Sequence, residues 1–215
     1  MAKAQLCVAV TGATTDELRR HRDEVNGADL IELRLDTVSD PSAAGALAGR
    51  RGPVIVTCRP TWEGGMFRGS EEERRRILAE ALQRGAEHVD IEWRARFDDL
   101  LAQSGGRRVV LSMHDFEGVP ADLPGSVQAM RSSGADVVKV AVTAKRLADT
   151  VPLLDLGAQA SRNGGLVVIG MGEHGVATRV LAARFGSAWT YAGAIRDVGQ
   201  LDAATLEKEY RFGSI

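Results

Sequence analysis

The chain has 215 residues, of which 44% are hydrophobic and 26% charged, with a formal net charge of -2 at pH 7. That length is enough to bury a sizeable core, and the near-neutral balance excludes a partner held mainly by basic charge, whether nucleic acid or an acidic membrane. The opening "MAKAQLCVAVTG" lacks the regions of a signal peptide and no later stretch approaches the roughly 18 apolar residues of a membrane span, so a cytoplasmic protein with a small-molecule partner is expected.

Short apolar, β-branched runs alternate with longer amphipathic stretches along the whole chain, the pattern of βα units on a parallel sheet. The first strand, "QLCVAVTG", leads into a helix that Thr15 or Asp16 is placed to cap and that Gly27 terminates. "DLIELRLD" and "PVIVTCRP" follow as strands, and then "SEEERRRILAEALQRG" as a helix opened by Ser70 and closed at Gly85. "HVDIEW" and "RRVVLSMHDF" are the next strands, Gly134 stops the helix before "DVVKVAV", and "AKRLADTVPLLDLGAQASRNGG" is helical up to Gly164. "GLVVIGMG" and "AWTYAG" complete a set of eight strands. Eight βα units spaced by roughly 27 residues fit closure better than an open doubly wound sheet, and predict a single-domain (β/α)8 TIM barrel over residues 1–215.

Cys7 and Cys58 fall in strand-like runs without metal-ligand spacing and read as buried, reduced thiols; the four histidines have no paired helical spacing, so no metal site is expected. "GMGEHG", residues 170–175, fits the G-x-G-x-x-G dinucleotide pattern between a strand and a helix, but the following strand, "AWTYAG", carries no acid to hold a ribose. Its glycines read instead as a barrel loop that passes close to a ligand.

A TIM barrel places its chemistry at the C-terminal ends of the strands. Those ends carry Glu32 and Arg34, Arg59, Asp90 and Glu92, His114, Lys139 and Met171 in segments otherwise apolar enough for a core. Lys139, flanked by valines in "DVVKVAV", is the most informative: an unpaired buried ammonium is costly, which favours a neutral amine able to attack a carbonyl. A buried salt bridge with Glu32 or Glu92 is the alternative at this point. His114, at the end of the preceding strand, is suited to move a proton beside that amine. Arg34, Arg59 and Arg179 are candidates to grip a carboxylate through paired hydrogen bonds, and Glu32 and Glu63 to position ring hydroxyls or orient His114.

The set "IELRLD", "VTCRPTWEGG", "VDIEW", "SMHDF", "VKVAV", "GMGEHGVATR", "FGSAWTYAG" and a late "GQ" resembles the type I 3-dehydroquinate dehydratases, in order and over nearly the whole chain. The resemblance implies a shikimate-pathway enzyme of aromatic amino acid biosynthesis that converts 3-dehydroquinate to 3-dehydroshikimate and water, without metal or organic cofactor, as a homodimer. It further implies that Lys139 forms an imine with the ketone, that His114 moves the protons and that Glu63 hydrogen-bonds His114. Glu32, Arg34 and Arg59 would line the ring and its hydroxyls, Met171 would pack against the ring, and Arg179 would bind the carboxylate. The loop after the eighth strand departs from the family. Gln200 is retained, but "RDVGQ" has Arg196 where the family has serine and Val198 where it has proline, which makes Arg196 a candidate second contact for the carboxylate. Two rivals remain beside this reading: a class I aldolase acting on phosphorylated sugars, and a catalytically inactive ligand-binding barrel.

Overall fold

The structure, a computed structural model, describes residues 4–160, 164–193 and 199–212. The apolar runs form strands β1 (Gln5–Val10), β2 (Leu30–Arg34), β3 (Val54–Thr57), β4 (His88–Glu92), β5 (Val109–Asp115), β6 (Val137–Thr143), β7 (Gly165–Met171) and β8 (Trp189–Ala192). All pair in parallel, in the order β7-β6-β5-β4-β3-β2-β1-β8. The remaining seam between β7 and β8 is bridged at its start, where the Ala188 N–H donates to Leu166 O at 2.7 Å and the Val168 N–H to Ser187 Oγ at 2.9 Å. Around the strands run helices α1 (Thr15–Glu24), α2 (Ala43–Leu47), α3 (Glu71–Gln83), α4 (Asp98–Ser104), α5 (Leu123–Ser132), α6 (Thr150–Ala160), α7 (Val176–Val180) and α8 (Ala203–Lys208). The architecture is the expected (β/α)8 TIM barrel.

Alternation along each strand divides the side chains between two apolar layers. In β6, Val138, Val140 and Val142 join the layer between strands and helices, with Leu33, Val56, Leu78, Ile91, Leu111 and Leu153. Val137 and Ala141 face the barrel interior with Cys7, Leu30, Ile55, Val110, Val167, Ile169 and Trp189. Lys139 lies between these two inward positions, so the register of β6 alone carries its ammonium into the barrel. Both cysteines are buried and free.

Three local expectations need refinement. The cap of α1 is Thr14, whose hydroxyl accepts the Glu17 N–H at 3.2 Å, because Thr15 is engaged elsewhere: its N–H and hydroxyl both donate to Asp40, at 2.7 and 2.6 Å. The long helical stretch after β6 opens as a short 3-10 turn, Leu147–Asp149, before α6 begins; Asp149 accepts the backbone N–H groups of Lys145 and Arg146. Ser70 does cap α3, accepting the Glu73 N–H at 3.1 Å. The glycines of "GMGEHG" are required by the protein's own backbone: a Cβ on Gly175 would strike the carbonyl of Gly170, and one on Gly199 that of Gly172. Among the described residues, no helix is long and apolar enough to cross a membrane.

Candidate active site

At the C-terminal mouth of the barrel lies a cavity of about 290 Å³ lined by Glu32, Arg34, Arg59, Glu63, His114, Lys139, Met171, Arg179 and Gln200, among others. Each side chain arrives by a different route. Glu32 and Arg34 come from β2, Lys139 from β6, His114 from the end of β5 and Met171 from the last residue of β7. Arg59 and Glu63 come from the loop after β3, Arg179 from α7, and Gln200 from beyond β8. The structure therefore brings nine of the ten expected site residues together. The tenth, Arg196, lies outside the described residues, as does Val198.

Lys139 is only 5% exposed, yet its ammonium is paired. Nζ donates to Asp90 Oδ2 at 3.0 Å, lies 3.7 Å from Glu32 Oε1, and sits 4.6 Å from the centroid of the Tyr191 ring. This corrects the expectation of an unpaired amine, and one half of the salt-bridge alternative as well. Glu32 is near, but Glu92 is engaged by Arg59 at 2.5 Å and by Arg74. Asp90 rather than Glu92 meets the lysine because the shear of the barrel brings positions from alternate strands into one layer. Burial opposes ionisation of Asp90, but the charges of Arg59 and Lys139 outweigh it and hold its carboxyl well below the usual range.

The arginines divide by partner. Arg59 Nη2 lies 2.9 Å from Asp90 Oδ1, and Nη1 donates to Glu92 and, at 2.8 Å, to Ser112 Oγ, so much of its hydrogen-bonding capacity is given to the protein. Arg34 forms a two-bond fork with Asp36. Arg179 is 2% exposed, although it lies on a helix, and burial pushes its guanidinium down to about 10, still protonated at neutral pH. Glu32 accepts the Thr57 hydroxyl at 2.7 Å.

His114 and Glu63 form a pair. Glu63 Oε1 accepts the backbone N–H of His114 at 2.9 Å and lies 3.1 Å from its Nδ1, which fixes the ring with Nε2 available on the other side. Oε2 of Glu63 is buried with no hydrogen-bond partner among the described residues. Burial first, then the neighbouring charges of Glu92 and Asp90 against the opposing Arg59, raise the Glu63 carboxyl to about 7. Burial, reinforced by Arg59 and Lys139, drives the imidazole of His114 well below its ordinary value. At neutral pH the pair thus holds an uncharged imidazole beside a carboxyl poised to titrate.

Four residues around the cavity were not singled out as site residues from the sequence. Asp90 was visible as a polar strand-end residue, and its role as partner of Lys139 is a matter of register. Tyr191 reads as core, Phe116 as an exposed aromatic and Asp36 as an ordinary turn residue. The Phe116 ring stacks on His114 with centroids 6.4 Å apart, and any side chain on Gly64 would collide with it. No group of three or more histidine, cysteine, aspartate and glutamate side chains is arranged to hold a metal ion among the described residues.

The sequence matches the type I 3-dehydroquinase family over residues 6–215. It is 34% identical over 200 residues to the 3-dehydroquinate dehydratase of Desulfotalea psychrophila, covering 89% of this chain and 88% of the relative. It is 37% identical over 190 residues to that of Methanothrix thermoacetophila, covering 88% and 82%. Its structure resembles the crystal structure of 3-dehydroquinate dehydratase from Geobacillus kaustophilus with a TM-score of 0.87 at 27% identity, over 98% of this chain and 91% of the other. The chain belongs to the type I 3-dehydroquinase family.

Proposed function

We propose that the chain dehydrates 3-dehydroquinate to 3-dehydroshikimate through an imine on Lys139, in the shikimate pathway. The observation that carries this reading is a buried lysine beside an uncharged imidazole in one cavity, in a chain of this family. In this mechanism the Lys139 amine gives up a proton and attacks the ketone carbon, and the carbinolamine loses water to leave a protonated imine. The imine acidifies the neighbouring carbon. His114 Nε2 removes a proton there, the electrons form the new carbon-carbon double bond, and the adjacent hydroxyl departs with a proton returned from His114. Hydrolysis of the imine by water releases the product and the free amine, so the net change is loss of one water.

Glu63 orients His114 and offsets the positive charge it gains between the two transfers, as a carboxylate does for a catalytic histidine. Asp90 holds the lysine in place, and Glu32 with Arg34 and Arg59 contacts ring hydroxyls. Arg179 binds the substrate carboxylate, while Met171 packs on the ring and Gln200 closes over it. Arg196 adds a second carboxylate contact in this reading; an unchanged KM in Arg196→Ser would remove it. Residues 1–215 act as one catalytic domain, in the cytoplasm and as a homodimer, in keeping with the resemblance described above; light scattering on the purified protein tests the dimer.

The direct assay is the absorbance of the conjugated product on incubation with 3-dehydroquinate, with phosphorylated sugars in parallel. Turnover of dehydroquinate alone is expected. Turnover of the sugar phosphates alone would establish the aldolase alternative, and no turnover of either would leave a binding barrel.

A further inference from the structure

We propose that Asp36 is a positioning residue that ties two loops of the site together and sets the placement of both Arg34 and Glu63. This rests on the dehydratase reading of the cavity. Asp36 follows β2 in a short 3-10 turn, Leu35–Thr37, and its side chain is fully buried. Its two oxygens receive the Arg34 fork, Nε to Oδ1 at 2.8 Å and Nη2 to Oδ2 at 2.7 Å. The same Oδ2 also accepts the backbone N–H of Met66 at 3.1 Å, thirty residues on and in the loop after β3.

That loop is the one that carries Glu63. Its internal hydrogen bonds return to its own base: the Gly65 N–H to Pro60 O at 2.9 Å, the Phe67 N–H to Arg59 O at 3.1 Å and the Thr61 N–H to Phe67 O at 3.3 Å. These define the shape of the loop without fixing where it sits. Its position is set by contacts with other elements, and two of these bracket Glu63. One is the pair of bonds from His114 to Glu63 itself, on the β5 side; the other is Met66 to Asp36, on the β2 side. The Met66 side chain is mostly exposed, while the next residue, Phe67, is buried in the core and anchors the loop's return; the charge-assisted backbone bond from Met66 to Asp36 is the polar tether on the side that faces β2.

One carboxylate thus holds the plane of a guanidinium that faces the cavity and the far end of the loop that orients the proton-transferring histidine. The first function bears on substrate affinity and the second on the chemical step. The two are separable because they use different donors. Asp36 does not line the cavity, so its effect on the reaction is exerted through Arg34 and Glu63.

The test measures kcat and KM for Asp36→Asn, made both in the wild-type chain and in Arg34→Met. Loss of the charge weakens charge-assisted bonds, and the expected result in the wild-type background is about a tenfold rise in KM and about a tenfold fall in kcat. In Arg34→Met the KM effect of Asp36→Asn should vanish while the kcat effect persists. Constants within about twofold of wild type, or a rise in KM as large in Arg34→Met as in the wild-type background, would overturn the proposal. Hydrogen exchange of the Met66 amide in the unmodified protein gives an answer even if the variants do not fold: protection is expected, and exchange at the rate of an open loop would overturn the tether. Because amide protection does not depend on turnover, protection in a protein that fails to dehydrate dehydroquinate would identify the dehydratase reading, not the tether, as the failed step.

Discussion

The two walls of the cavity are chemically unlike. Strands β2 to β6 and the loop after β3 supply Glu32, Arg34, Arg59, Glu63, His114 and Lys139, whereas β7 and β8 supply Ile169, Met171 and Tyr191, with Arg179 reaching in from α7 between them. In the proposed reaction, water excluded from the cavity is what sharpens the ionisable wall. Burial is the leading cause of the shifts at both His114 and Glu63, ahead of any single neighbouring charge. The charged wall in turn keeps Lys139 and Asp90 ion-paired in surroundings that would otherwise penalise either charge alone.

Removing the nucleophile breaks the comparison most severely. Lys139→Ala should lower kcat/KM by at least about 10^4-fold, while calorimetry still detects binding of a substrate-like carboxylate through the remaining wall. His114→Ala should cost roughly 10^2 to 10^4 in kcat, with the substrate imine on Lys139 still trapped by reductant, since its ionisable neighbours remain. Retained turnover in either variant would mean that the charged wall is structural.

The Glu63 carboxyl sharpens the comparison through pH. With its carboxyl at about 7, kcat/KM should fall as pH drops below 7, one proton at a time, and that limb should be absent in Glu63→Gln. The sign for stability is the reverse. A carboxyl raised from 4.5 to about 7 by burial binds its proton more tightly when folded, so its stabilising contribution is full below pH 4.5 and lost as pH rises through 7. Glu63→Gln should therefore be more stable than wild type above pH 7, on the order of 2 kcal/mol, and converge with it toward pH 4.5 in denaturant melts. Equal stability at both ends would show that the carboxyl is not held in a dehydrated setting.

The smallest effect concerns the contact between the walls, the Tyr191 ring under the Lys139 ammonium. Tyr191→Leu should slow imine formation by about 3- to 30-fold, and Tyr191→Phe, which keeps the ring, should stay close to wild type. Equal losses in both would assign the role to the hydroxyl instead.

Much of this arrangement was legible in the sequence, for a definite reason. Lys139, Glu32 and His114 stand out because an ionisable residue in an apolar strand is expensive and so signals a use. Where the sequence falls short, the missing quantity is geometric. Asp90 and Glu92 sit two residues apart on the same face of β4, and only the stagger of the strands decides which meets the lysine. Arg74 stands in a run of three arginines on α3 that reads as a solvated face; it is completely buried because it reaches inward to Glu92, while Arg76 remains exposed. Asp36 lies just past a strand end, where an aspartate ordinarily marks a turn, and its importance comes from a loop thirty residues away. The dinucleotide-like glycines mislead for the converse reason: close backbone packing requires glycine whether or not a ligand is present.

The central claim is the covalent link between Lys139 and the substrate. The most direct test is to incubate the protein with 3-dehydroquinate, reduce with borohydride and map the product by peptide mass spectrometry. A substrate-dependent mass increase on the peptide containing Lys139, lost in Lys139→Ala, is the expected result. Dehydration that proceeds with no adduct, or with the adduct on Lys145 or Lys208, would contradict it.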